Sequence, residues 1–246
     1  MQDLDLMPTG EVELRSHGPI GQDDRDGARA VVADVLARHG CVAGARVRLT
    51  AGHRSGGPMV VQVNLRVAGA PARIQVAGAT PAAAVAAAAV RLDHQVQRLR
   101  TAWEPWPWPD PQRHPLAIPG RDRITRRKAV VLRPRRTCQA ASTLAAMDYD
   151  VCLFTDADTG EDAVVYRAGP TGLRVARQRS MRPAPASGTP VPTVNSRRTP
   201  ELTPETAAAR LAEGWLPFLF FTDPGTARGA VVYRRYDGGI TLLCPA

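Results

Sequence analysis

The sequence predicts an α+β protein. Its N-terminal part reads as a β-α-β-β-β-α domain, a four-stranded sheet with two helices on one face, and two small α/β repeat modules follow. Two observations predict this. Short runs of period two and two runs of helical period share residues 11–103. Further on, Phe154-Thr155-Asp156 returns as Phe221-Thr222-Asp223, and Ala163-Val164-Val165-Tyr166-Arg167 returns as Ala230-Val231-Val232-Tyr233-Arg234. Both recurrences have the same 67-residue offset, so the repeat has no gap.

The elements follow in order. Glu11–Arg15 alternates as a strand. Gln22–His39 is a helix with an apolar stripe of Ala28, Val31, Val35 and Leu36, and it stops at Gly40. Arg46–Leu49, Val61–Val67 and Arg73–Val76 alternate as three strands. They are separated by turns at Gly56-Gly57-Pro58 and Gly69-Ala70-Pro71. Thr80-Pro81 caps and opens a long helix whose core stripe is Val85, Ala89, Leu92, Val96, Leu99 and Trp103.

The domain division is residues 1–103, a Pro/Trp-rich and basic linker 104–125, a first module 126–177, a flexible linker 178–202 and a second module 203–246. Each module reads as a helix, a hairpin and a third strand. In the first copy these are Cys138–Met147, Asp150–Phe154, Ala163–Arg167 and Leu173–Ala176. A strand before that helix, Lys128–Leu132, has no clear sequence equivalent in the second copy. Modules this small bury little alone and need a partner surface. The apolar strand residues Phe154, Val164, Tyr166, Phe221, Val231 and Tyr233 are expected to pair the two modules with each other.

Charge narrows the function. The chain of 246 residues carries a net charge of +9, and Lys128 is its one lysine, so arginine supplies the rest of the basic charge. Arginine's planar fork suits phosphate, and this balance points to nucleic acid. The longest apolar run, Pro81–Val90, is far too short for a membrane span, the acidic N-terminus resembles no signal peptide, and the four cysteines show no CxxC spacing. The expectation is a cytoplasmic protein with reduced thiols and no membrane partner.

Strand alternation sends Val47, Leu49, Val63, Leu65, Ile74 and Val76 to the helix-covered face. It sends Arg46, Arg48, Arg66 and Arg73 to the other. On the second helix Arg91, His94 and Arg98 line up away from the core stripe, with Arg100 nearby. His53 and Arg54 sit in a strand–strand loop suited to reaching phosphate. All ten are expected to contact RNA. Few aromatics interleave with them, which favours structured RNA over base-stacked single strands. A second basic cluster runs from Arg121 to Arg136.

Candidate catalytic and metal constellations fail on their spacing. Asp156–Asp162 has the look of a calcium loop, but the repeat keeps the turn at Asp223–Gly229 and discards the carboxylates. Gly52–Gly56 has its serine one place late for a nucleophile elbow. No metal-ligand spacing, Walker loop or Rossmann fingerprint occurs. No cofactor, no metal, no small-molecule substrate and no enzymatic activity are expected.

The run Arg91-Leu92-Asp93-His94-Gln95-Val96-Gln97-Arg98 resembles the last helix of the ribosome hibernation factors, with His94 departing from a basic residue. Arg126-Arg127-Lys128, Leu132-Arg133-Pro134, Asp150–Phe154 and Thr159–Arg167 resemble the C-terminal domain of the long members of that family. The resemblance implies a protein that occupies the decoding region of the small subunit. There it would contact 16S rRNA, exclude mRNA and tRNA, and preserve 70S ribosomes under stress. The small-subunit ribosomal proteins are further expected partners, through the C-terminal modules. Long members pair one C-terminal domain with another molecule's, whereas this chain carries two modules, as mycobacterial relatives do. A general double-stranded RNA-binding regulator is the alternative reading.

Overall fold

A computed structural model describes residues 11–40, 44–52, 58–101, 123–168, 172–183, 191–214, 216–235 and 239–246. They form two compact units. One holds residues 11–101 with Ala146–Asp148. The other holds residues 123–145 and the described residues from 149 onward.

The first unit runs β1 (Val12–His17), α1 (Gln22–Arg38), β2 (Ala45–Ala51), β3 (Met59–Val67), β4 (Ala70–Gly78) and α2 (Pro81–Arg100). The sheet order is β1-β2-β3-β4. β1 and β2 are parallel because a helix joins them, and the other neighbours are antiparallel. Ala68 and Gly69, both at positive φ (48° and 79°), form the two-residue turn between β3 and β4. The Thr80 hydroxyl accepts from the Ala83 backbone N–H at 3.2 Å and Pro81 opens α2, so the sequence fixes the start of this helix locally.

The inward strand residues Val47, Leu49, Val63, Leu65, Ile74 and Val76 are all buried in one core. Ala28, Val32, Val35 and Leu36 of α1 join them, as do Ala84, Ala88, Leu92 and Val96 of α2. Val32 takes the place expected for Val31, which sits half-buried at the flank of the stripe. A one-residue rotation of this kind lies within the tolerance of a 3.6-residue period.

In the second unit each module stacks a helix on a three-stranded meander. The first has α3 (Thr137–Ala146), β7 (Val151–Asp156), β8 (Asp162–Arg167) and β9 (Leu173–Arg177). The second has α4 (Pro204–Glu213), β11 (Phe218–Asp223), β12 (Arg228–Arg234) and β13 (Ile240–Pro245). Three more strands flank these: β5 (Ile124–Val130), β6 (Pro134–Arg135) and β10 (Thr193–Val194). The strand orders are β10-β9-β8-β7-β6 and β11-β12-β13-β5.

These orders reveal a reciprocal exchange. β5 opens the first module, ahead of α3, yet pairs with β13 of the second, setting Arg126 opposite Thr241 and Arg127 opposite Leu242. β10 precedes the second module yet pairs with β9 of the first, setting Thr193 opposite Arg174 and Val194 opposite Val175. The two sets of partners differ by the repeat offset at every position. The bridge Glu201–Thr222 likewise repeats the pair Pro134–Thr155. The leading strand of the first module therefore does have an equivalent in the second. It escapes a sequence comparison because the shared feature is backbone pairing, while the side chains Arg126-Arg127 and Thr193-Val194 have nothing in common.

The exchange also corrects part of the expected flexible linker. Within residues 191–202, Asn195 N–H donates to Val175 O at 2.8 Å, the Thr199 hydroxyl to Arg177 O at 2.7 Å, and Pro200 O accepts from Thr222 N–H at 2.9 Å. Polar composition suggested a tether, but these backbone groups find strand partners.

Candidate nucleic-acid interface and module-pairing face

The face of the first sheet away from the helices carries Arg46, Arg48, Arg66 and Arg73 between Gln62, Asn64 and Gln75. Arg48 is exposed and the rest are half-buried. Antiparallel register sets Arg48 opposite Gln62, Gln62 opposite Gln75 and Asn64 opposite Arg73. The guanidiniums are therefore spaced by neutral amides, which limits their mutual repulsion. Arg66 donates to Gly69 O at 2.6 Å and Arg73 to the Gln75 side chain. Both heads are held in place by short-range contacts.

One acid intrudes. Because β1 lies parallel beside β2, Glu13 falls opposite Arg46, and its carboxylate accepts from Arg46 and from Arg15, each at 2.7 Å. The Arg46 bond, then the Arg15 bond, pulls the Glu13 carboxyl below the usual carboxylate range. The sequence places Glu13 in an acidic N-terminal half, and only strand order brings it onto the basic face.

On α2, His94 and Arg100 are exposed and Arg98 is half-buried. Arg98 donates to the Gln95 side chain at 3.3 Å and Arg100 to His39 O at 2.7 Å. Asp93 binds Arg38 at 3.2 Å and His39 at 2.9 Å, fastening the end of α1 to α2. Arg91 departs from the expected solvent face. It is fully buried, with its guanidinium on the Asp148 carboxylate at 2.5 Å. Gln95, one turn on, donates to Ala146 O at 2.9 Å. α2 thus buries a second flank, against residues 146–148 of its own unit. No local pattern announces a partner 57 residues away in sequence. His53 and Arg54 lie outside the described residues.

A further basic edge appears where the sequence showed a charge cluster. Arg126, Arg127 and Lys128 are exposed along β5, and Arg127 reaches Glu205 at 3.0 Å in a solvent-exposed pair.

The two modules share one apolar cluster. Leu153, Val164 and Ala176 of the first pack with Phe220 and Val231 of the second. Val151, Tyr166, Phe218, Tyr233 and Leu243 close around them. The rings of Tyr166 and Phe218 meet edge-on at 5.4 Å. Val164 and Val231 are fully buried, and burial pushes the Tyr166 phenol above its ordinary value. Of the six residues expected on this face, Phe154 and Phe221 face the other way. Phe221 sits in the core under α4 with Ala207 and Leu211. Phe154 follows Leu153 on an alternating strand and is buried on the opposite side. Leu153 and Phe220, one residue earlier in each copy, take their places.

The buried carboxylates of the Asp156–Asp162 turn, Asp156 and Asp162, are engaged by arginine and backbone. Asp156 is buried against Arg177, and Asp162 accepts from Arg228 at 2.7 Å and from the Gly229 N–H at 2.9 Å. Among the described residues no three His, Cys, Asp or Glu side chains gather as a metal site.

Comparison with known proteins adds an independent line. Residues 120–175 match the family described as Sigma 54 modulation/S30EA ribosomal protein C terminus. The whole chain is similar to a protein of Mycobacterium tuberculosis strain CDC 1551 / Oshkosh called "Dormancy associated translation inhibitor". The two are 49% identical over 243 residues, covering 96% of this chain and 88% of the relative. The protein of that name in strain H37Rv matches to the same degree.

Proposed function

Since the chain belongs to the long ribosome hibernation-promoting factor family, we propose that it silences translation by occupying the decoding region of the small ribosomal subunit. The basic sheet face and the exposed side of α2 hold 16S rRNA phosphates. The site they fill is one that mRNA and tRNA need. Its action is occupancy, with no bond made or broken. The observation that carries this reading is the one-sided sheet: an apolar face under two helices and an arginine–amide face turned away from them. Many weak phosphate contacts sum, and their total falls steeply with salt.

The C-terminal unit has a separate part. Its modules close on each other within one chain, so the apolar faces that would join two molecules are already covered. The protein then holds single 70S particles, and the basic edge at Arg126–Lys128 is left to reach rRNA or a small-subunit protein.

The test is competition. Purified protein should inhibit translation in vitro and should compete with mRNA and initiator tRNA for the 30S subunit. Excess plain duplex RNA should leave both effects intact. Equal loss of activity to plain duplex would favour a general double-stranded RNA binder instead.

A further inference from the structure

The pairing face between the modules is close to a two-fold, because the two modules contribute equivalent repeat positions to it. Asp162 and Gly229 are such a pair, one repeat offset apart, and they touch. Asp162 accepts from the Gly229 N–H at 2.9 Å, and a Cβ built on Gly229 would lie 2.7 Å from the Cβ of Asp162 and 2.9 Å from the Phe220 ring. Equivalent positions that touch mark the axis. The neighbours differ as well: Glu161 precedes Asp162, whereas Arg228 precedes Gly229. Arg228 forks onto the Asp162 carboxylate at 2.7 and 3.1 Å.

The apolar positions show the same division. The first module contributes Val151, Leu153 and Ala176. The second contributes Phe218, Phe220 and Leu243 at the equivalent places. Small side chains on one side meet large ones on the other.

We propose that this face is heterotypic by construction: the first module accepts the second and neither accepts a second copy of itself. The proposal rests on the in-chain pairing described above and specifies its selectivity. Two first modules would bring Asp162 onto Asp162 at the axis, with no arginine between the carboxylates and with cavities where Phe218, Phe220 and Leu243 now sit. Two second modules would leave the Gly229 N–H without an acceptor, set Arg228 beside Arg228, and overfill the apolar face. The duplicated module has thus diverged into a complementary pair. A chain whose pairing is loosened stays a monomer rather than bridging to another molecule.

A cycle in the full chain tests this: Gly229→Asp, Asp162→Gly, and both together. Each is read by thermal unfolding of the C-terminal unit and by sedimentation velocity. Gly229→Asp sets two carboxylates on the axis and is expected to lower the unfolding midpoint by roughly 10 °C. Adding Asp162→Gly removes the second carboxylate and the 2.7 Å Cβ approach and is expected to restore part of that loss, because Gly229→Asp still crowds the Phe220 ring and faces Glu161 instead of an arginine. Gly229→Asp alone is expected to sediment as a monomer. The proposal is overturned if Gly229→Asp leaves the midpoint unchanged, if Asp162→Gly brings no recovery, or if Gly229→Asp forms dimers. Should Gly229→Asp fail to fold, Arg228→Glu decides: a lowered midpoint with the chain still a monomer supports the axis complementarity, and an unchanged midpoint or a dimer refutes it. Ribosomes enter neither readout, so a chain that passes here and still ignores the 30S subunit sinks only the decoding-region reading.

Discussion

The N-terminal sheet and the module sheets are built alike on one face and differently on the other. Each packs apolar strand residues under helices. On its second face the N-terminal sheet carries Arg46, Arg48, Arg66 and Arg73 among amides. The modules carry Leu153, Val164, Tyr166, Phe220, Val231 and Tyr233 there and close on each other. The same alternation serves two ends. An apolar second face is satisfied within the chain by a second copy tethered nearby, at an effective concentration on the order of millimolar. The arginine second face is the one proposed above to take phosphate from outside the chain.

The largest effect that would break this comparison is a charge placed in the shared apolar cluster. Val164→Asp is expected to destabilise the C-terminal unit by about 3–5 kcal/mol, because an unpaired carboxylate would be fully buried. Cys152 offers a probe. Burial pushes its thiol up to about 11, so it is expected to resist alkylation in the wild-type chain and to react once the substitution opens the unit.

Next in size is the arginine face. Replacing Arg48, Arg66 and Arg73 together by alanine is expected to weaken binding to the 30S subunit by at least about tenfold. It should also flatten the salt dependence by roughly one unit of logarithmic slope for each phosphate left without its arginine. Stability should change by no more than about 0.5 kcal/mol at exposed Arg48 and by about 0.5–1.5 kcal/mol at each of Arg66 and Arg73, which are half-buried and hydrogen-bonded. Filter binding across a salt series, with a thermal melt as control, separates the two. Arg91 is unsuited to this test, since its substitution strands the buried Asp148 carboxylate and confounds folding with binding.

A smaller effect comes from Glu13→Gln, which removes the acid from the basic face and should tighten 30S binding. It also has a pH signature. The folded carboxyl lies below its ordinary value, so its ion pairs support the fold above the usual carboxylate range and are lost as pH falls through the folded value. The variant should therefore show a shallower loss of stability on acidification, measured by melts through the acid range.

The smallest effect sharpens the repeat itself. Gly160 and Ala227 occupy equivalent turn positions at φ of 72° and 56°. Ala227→Gly removes left-handed strain worth roughly 1–2 kcal/mol and adds backbone entropy worth roughly 0.5–1 kcal/mol. A net gain of up to about 1.5 kcal/mol in denaturant unfolding is expected.

What the sequence made legible was whatever a local pattern encodes. Period-two runs placed the strands and chose the inward residues, Thr80-Pro81 placed the start of α2, and the fixed repeat offset revealed the modules. What it hid depends on which distant segments meet. Glu13 belongs to the basic face only because β1 lies beside β2. Arg91 reads as a surface residue until Asp148 supplies its counter-charge. Phe154 and Phe221 are as apolar as their neighbours Leu153 and Phe220, and only strand register tells which of each pair faces the helix. The exchange of β5 and β10 is written in backbone hydrogen bonds, to which side-chain similarity is blind.

Under the proposed function the chain binds the ribosome through one face and keeps its pairing surface closed within itself. A sucrose gradient of 70S ribosomes incubated with the intact protein tests it most directly. The expected result is protein co-sedimenting with 30S and 70S particles and no 100S peak. Protein left at the top of the gradient, or an abundant 100S peak, would contradict it.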